Sequence, residues 1–221
     1  MAYDLYVVTD EGLSRGLTHA QIAEKAAIGG ADVIQLRDKK RTGRELFNIA
    51  SDIRASTRKT GAQFIVNDRL DIALASNADG VHFGQDDIPL TAARKIAPRP
   101  FIIGISVGSV REAVIAENEG ADYVAVSPVF STGSKCDAGP GLGLQMVTDI
   151  HKSVKIPVIT IGGLHKENAE EVIEAGADGL AVISAVVSQE DITAAARDLR
   201  RIISQKKSQI KRDLSSTNSI C

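Results

Sequence analysis

Two cations flank an acid in the run Gln35-Leu36-Arg37-Asp38-Lys39. Arginine offers a planar fork and lysine a compact point charge, a combination suited to a phosphate or diphosphate. The competing reading is a surface pair of charges neutralised by Asp38. Carboxylates follow in Asn67-Asp68-Arg69 and in Gly84-Gln85-Asp86-Asp87. If the segments before them are neighbouring strands, about 4.8 Å apart, these acids can share one ion. Oxygen donors with no nearby His or Cys point to Mg²⁺, with Asp68 and Asp87 as its ligands. Asp71 and Asp86 are alternatives that could instead cap the following helices. A long run rich in small residues, Ser127-Pro128-Val129-Phe130-Ser131-Thr132-Gly133-Ser134-Lys135, continues to Gly141. Its hydroxyls and Lys135 can close over phosphate oxygens while the glycines let the segment move. Gly162-Gly163 and Ile183-Ser184 offer a different kind of anion site, built from backbone N–H groups that bare glycines let a phosphate approach. Two sites of different character suit two phosphorylated substrates, one of them carrying a metal-bound diphosphate. The histidines are His19, His82, His151 and His165, and no Ser/His/Asp order, zinc spacing or P-loop accompanies them. His82 fits a packed strand histidine more readily than a site residue.

Something must bring these residues together. Apolar, β-branched runs recur at Leu5–Thr9, Val33–Arg37, Gln63–Asn67, Gly80–Gly84, Ile102–Ser106, Tyr123–Ser127, Val158–Gly162 and Gly179–Ser184. Short, nearly continuous apolar runs are the mark of parallel strands covered on both faces. Segments rich in Ala, Glu, Lys and Ile lie between most of them, as at Thr18–Ile28, Thr42–Thr57, Val110–Glu119 and Lys166–Ala175. Eight units over residues 5–206, about 25 residues each, predict an α/β fold, a single-domain (β/α)8 TIM barrel. A doubly wound sheet is the alternative, disfavoured because no glycine-rich dinucleotide turn is present. Gly30-Ala31-Asp32, Ala78-Asp79-Gly80, Gly120-Ala121-Asp122 and Gly176-Ala177-Asp178 form a weak repeat ahead of strands two, four, six and eight. In a barrel, chemistry sits where strands end and loops begin, and each candidate above lies there. Residues 207–221 are polar and are expected to form a solvated, disordered tail.

Composition narrows the partners. The 221 residues carry 26 Lys+Arg against 28 Asp+Glu, a net charge of −2 that argues against a general polyanion binder. Aromatics make up 4% and Trp is absent, so base-stacking platforms for nucleic acid are not expected. Cys136 and Cys221 form neither a metal spacing nor a disulfide framework, which suits a reducing compartment. The chain starts without a basic, then apolar, leader and has no apolar stretch near the roughly 20 residues that span a bilayer. The expectation is a cytoplasmic protein of small-molecule substrates, without nucleic-acid or membrane partners and possibly a homo-oligomer.

Taken together in this order, the strand-end motifs resemble the thiamine-phosphate synthase family from about Leu5 to Ile203. The resemblance implies a transferase that joins a hydroxymethylpyrimidine diphosphate to a thiazole phosphate, with Mg²⁺ as cofactor. It assigns Gln35, Arg37, Lys39, Asn67, Ser106 and Lys135 to the pyrimidine diphosphate, with Leu36 and Asp38 in the same motif. Arg37, Lys39, Lys135 and Ser106 are the implied catalytic groups, and Asp68 and Asp87 the metal ligands. Thr132, Gly133, Ser134, Gly163, Ile183 and Ser184 are implied for the thiazole phosphate. The related thiazole tautomerase and a non-catalytic binder of phosphorylated ligands are the rival readings.

Overall fold

The computed structural model describes residues 3–133 and 139–217. Eight parallel strands close into a barrel in sequence order: β1 Leu5–Thr9, β2 Val33–Leu36, β3 Gln63–Asn67, β4 Gly80–Phe83, β5 Ile102–Val107, β6 Tyr123–Val126, β7 Val158–Ile161 and β8 Gly179–Val182. The seam is a pairing of Tyr6 with Ala181 between β1 and β8, which rules out the open sheet. Helices α1 His19–Ile28, α2 Gly43–Thr60, α3 Leu70–Ala75, α4 Leu90–Ile96, α5 Val110–Glu119, α6 Gly143–Ser153, α7 Ala169–Glu174, α8 Ser184–Val187 and α9 Ile192–Thr217 surround it. Every residue of β1, β2, β4, β6, β7 and β8 is buried, as two-sided covering demands. Thr18 and Thr42 open α1 and α2 with capping boxes closed by Gln21 and Glu45. Among the described residues, no helix is long and apolar enough to cross a membrane.

The weak sequence repeat has a structural meaning at the bottom rim, where strands begin. Asp32, Asp79, Asp122 and Asp178 each make a reciprocal pair of bonds with one residue of the preceding strand. The Asp122 N–H donates to the Ile103 carbonyl at 2.8 Å, and its carboxylate accepts the Ile103 N–H at 2.8 Å. Asp32 does the same with Leu5, Asp79 with Phe64, and Asp178 with Val158. Arginines complete three of the clasps: Arg200 on Asp32, Arg54 on Asp79, and Arg94 with Arg99 on Asp122.

The last helix differs from the sequence expectation. Residues 207–217 continue α9 instead of forming a disordered tail. Lys207 Nζ bonds Asp4 Oδ1 at 2.5 Å and the Asp178 carbonyl at 2.6 Å, and Ile210 packs on the core one heptad beyond buried Ile203. Lys206 pairs with Glu174 of α7. Polar composition concealed an amphipathic continuation that has a barrel wall to lie on.

Candidate active site

At the top rim, β2 delivers the first cations. Gln35 faces the barrel interior, where its Nε2 donates to the Tyr6 hydroxyl at 2.7 Å. Leu36, next along the strand, is buried and points to the helix layer on the opposite face, so its side chain is directed away from Gln35's. Arg37 and Lys39 reach the rim cavity, and Lys39 Nζ lies 3.9 Å from Asp68 Oδ2. Asp38 turns the other way. It accepts the Lys40 N–H at 2.8 Å and faces His19 Nε2 at 3.3 Å and Arg41 Nε at 3.5 Å. Burial opposes its ionisation, but the Lys40 N–H, His19 and the Arg41 N–H together hold the Asp38 carboxyl below its ordinary value. Asp38 therefore fastens the loop that carries Arg37 and Lys39.

That fastening belongs to a cluster the sequence reading missed. Ligand atoms of Glu11, His19 and Asp38 lie within 4.8 Å of one another. Both ring nitrogens of buried His19 already have protein partners, Thr9 Oγ1 at 2.7 Å and Asp38, while Arg41 bonds Glu11 at 2.7 Å. The cluster thus acts as a saturated clasp between the loops after β1 and β2. The three residues are dispersed in sequence, and only the adjacency of β1 and β2 signals their meeting.

Asn67 ends β3, and Asp68 follows in a left-handed conformation with φ of 59°. Asp is among the few side chains that tolerate this region, and such strain concentrates at functional sites. The Asp68 N–H donates to the His82 carbonyl at 2.9 Å, which ties the turn to β4. Asp87 accepts the Gly84 N–H at 2.7 Å. Arg37, Lys39, Asn67, Asp68, Asp87 and Ser106 line one cavity of about 280 Å³. Burial, and then the neighbouring Asp87, push the Asp68 carboxyl up from 3.8 to about 6, against the pull of Lys39 and Arg37.

This shift predicts a pH dependence of stability. A carboxyl raised on folding holds an extra proton in the folded chain, so its contribution is complete below pH 4 and is lost as pH rises through 6. With divalent cations chelated, the wild type should lose up to about 2 kcal/mol across that interval, allowing for solvent screening at a half-buried group. Urea midpoints of the wild type and Asp68→Asn between pH 4 and 7 check this. Equal slopes for the two proteins would refute it.

Inside the barrel, a line of hydrogen bonds joins two of the site residues. From Gln35 it passes through the Tyr6 and Tyr123 hydroxyls, 3.0 Å apart, to His82 Nδ1 at 2.9 Å, and from His82 Nε2 to Ser106 Oγ at 2.9 Å. Gly104 makes room for Tyr123, since a Cβ there would lie 2.0 Å from the ring. Gln85 Nε2 holds the Ser106 carbonyl at 2.6 Å from the loop after β4.

A narrow second cavity lies beside the first and shares Ser127 and Pro128 with it. Gly162, Gly163, Ile183, Ser184 and Thr132 also line it, whereas Gly133 does not. Gly162 and Gly163 have φ of 107° and 65°. A Cβ on Gly162 would meet Pro128 at 2.6 Å, and one on Gly163 would meet Phe130 at 2.7 Å. Glycine is needed here for both conformation and space. The Val129 and Phe130 N–H groups donate to the Ile161 and Gly162 carbonyls at 2.9 and 3.1 Å, zipping the two loops together. Ser134 and Lys135 lie outside the described residues.

A barrel rim with a cation- and acid-lined cavity beside a glycine slot accords with one family. The family model described as thiamine monophosphate synthase matches residues 5–186. The chain belongs to the thiamine monophosphate synthase family. It is 62% identical to a thiamine-phosphate synthase of Methanocella arvoryzae over 93% of this chain and 97% of that protein. Identity to a thiamine-phosphate synthase of Methanoculleus marisnigri is 58%, over 95% and 99% of the two chains. The solved thiamine phosphate pyrophosphorylase from Pyrococcus furiosus superposes with a TM-score of 0.86 at 45% identity, covering 92% of this chain and 96% of that one. Membership of the thiamine monophosphate synthase family makes the chain an enzyme, a transferase of thiamine biosynthesis.

Proposed function

We propose that the two adjoining cavities bind the two halves of thiamine phosphate, a pyrimidine diphosphate in the larger and a thiazole phosphate in the slot. The observation that carries this reading is their common wall, Ser127 and Pro128, which sets two anion sites of different character side by side. Arg37 and Lys39, with Lys135 from the loop, hold the diphosphate, while Gln35, Asn67 and Ser106 hold the pyrimidine. Gly163, Ile183 and Ser184, with Thr132 and Ser134, receive the thiazole phosphate. Asp38 supports this set through the loop it fastens.

Asp68 and Asp87 fit Mg²⁺ by their chemistry: two oxygen donors lie close enough that Asp87 raises the Asp68 carboxyl, a repulsion that a divalent cation relieves. When bound, the ion supplies charge neutralisation for the departing diphosphate. The aminopyrimidine ring stabilises a cation at its exocyclic methylene, so the carbon–oxygen bond breaks with its electron pair leaving on diphosphate. The thiazole nitrogen then gives its lone pair to the methylene carbon, forming the carbon–nitrogen bond and a thiazolium. No protein nucleophile takes part. Arg37, Lys39 and Lys135 stabilise the charge on the leaving group, and the rim cavities align donor and acceptor. The cysteine usage of the sequence supports a cytoplasmic setting.

The test is to incubate the purified chain with both phosphorylated substrates and Mg²⁺ and to follow thiamine phosphate and diphosphate by chromatography. Stoichiometric formation of both is the expected result. Folded protein that binds thiazole phosphate yet forms no product would overturn the reading.

A further inference from the structure

The hydrogen-bonded line through the barrel has a direction. Gln35 Nε2 can only donate, so the Tyr6 oxygen accepts at that end; among the described residues the other partner of this buried hydroxyl is Tyr123, to which its single proton is therefore assigned. Tyr123 has accepted from Tyr6, so its own proton goes to His82 Nδ1. That nitrogen must then be bare, which places the imidazole proton on Nε2, donating to Ser106 Oγ. The Ser106 proton is left pointing away from His82. Burial of both phenols pushes their ionisation far above the ordinary range, so each keeps the proton that the line requires.

We infer that Tyr6 and Tyr123 are positioning residues that set the tautomer of His82 and so present Ser106, which lines the larger cavity, to the pyrimidine as a hydrogen-bond donor. The inference rests on the reading of the larger cavity as the pyrimidine diphosphate site. A hydroxyl donor complements the bare ring nitrogen of an aminopyrimidine. The corresponding oxo-pyrimidine presents a ring N–H there and leaves the protein donor mismatched. Mismatch of buried hydrogen-bonding groups is the strongest discriminator a binding site has. Neither tyrosine needs to touch the ligand: among the described residues their hydroxyls meet Gln35, each other and His82.

The experiment uses the full chain labelled with ¹⁵N-histidine, with His82 assigned by its loss in His82→Gln. At a fixed pH of about 8, where an ordinary imidazole is neutral, long-range ¹H–¹⁵N spectra should show His82 protonated on Nε2 alone. Tyr123→Phe should mix the two tautomers. It should also raise the KM for the aminopyrimidine diphosphate roughly tenfold, without a matching rise for thiazole phosphate, as expected for one misdirected hydrogen bond. Its preference for the amino- over the oxo-pyrimidine diphosphate should fall by a similar factor. Tyr6→Phe removes the preceding proton of the line, so that Tyr123 is no longer directed toward His82, and should act in the same direction, which covers the case of Tyr123→Phe failing to fold. A His82 protonated on Nδ1 in the wild type, or variants with unchanged tautomer and preference, would overturn the inference. If the spectra behave as stated but no thiamine phosphate forms, the proposed reaction falls and the polarity of the line stands.

Discussion

Replacing Asp68 and Asp87 together with alanine is expected to lower the rate of thiamine phosphate formation about a thousandfold. The same protein should unfold at a higher temperature than the wild type when no divalent cation is present. The two effects have one cause. Two carboxylates share the rim cavity, with the Asp68 carboxyl pushed to about 6 by burial and by Asp87. A chain selected for stability alone would not place a second carboxylate beside one already held on a left-handed turn. Their removal relieves repulsion in the free protein and strips the donor set that would hold Mg²⁺ against the leaving diphosphate. Single-turnover rates with saturating substrates and thermal melts with a chelator measure both sides. A double variant that keeps its rate would sink the metal-site reading, and one that melts earlier would show that the pair is structural.

Asp122→Ala is expected to be the costliest change at the opposite rim. Its carboxylate takes the Ile103 N–H at 2.8 Å, Arg94 at 2.6 Å and Arg99 at 3.1 Å. Arg94 is largely buried, with its side chain 15% exposed, and among the described residues it keeps carbonyl partners at Ala97, Phe101 and Gly120 once the acid is gone. Leaving a buried charge without its counterion costs about 3 kcal/mol, the low end for such sites. For a chain of this size that lowers Tm by roughly 10 °C. Asp178→Ala offers the contrast. Its carboxylate holds the Val158 N–H, while the nearby Lys207 bonds its carbonyl, so about 1 kcal/mol is expected. Thermal melts of the two variants decide the matter, and a larger loss for Asp178→Ala would contradict this account of the clasps. Turnover at 25 °C should change little in either, since the candidate active site lies at the other end of the strands.

What the sequence makes legible follows from which interactions are local. The strands are legible because covering on both faces forces continuous apolar runs, and each expected run overlaps an observed strand. Their ends are less clear: the run Gly179–Ser184 continues past β8 because Ile183 and Ser184 are apolar or small while already entering α8. The four aspartates are visible as a repeat, but their reciprocal bonds to the preceding strand are not, since those bonds join residues 15 to 27 positions apart. Arg37, Lys39, Asp68 and Asp87 could be singled out because charges at strand ends have few other uses. Asp38 could not be separated from them, because its neighbour His19 comes from another element. Tyr6 and Tyr123 looked like strand residues with apolar bulk, and His82 like a packed one. They are packed, but their polar atoms meet across the barrel over 117 and 41 positions of sequence, which no local pattern records.

The contact of Lys207 and Arg200 with Asp4 carries a consequence for the order of the parts. It brings the first strand and the last helix to one place, where Asp4 also receives the Leu180 N–H on its carbonyl. Around the barrel axis, then, the chain forms a circle in which β1 follows β8 as naturally as β2 follows β1. Beyond Lys207, α9 runs on to Thr217, a further length of about 15 Å at the helical rise. A linker that spans this distance back to β1 would let the chain be opened between any two of its other units, because each strand finds its partners from its place in the circle and not from its place in the gene.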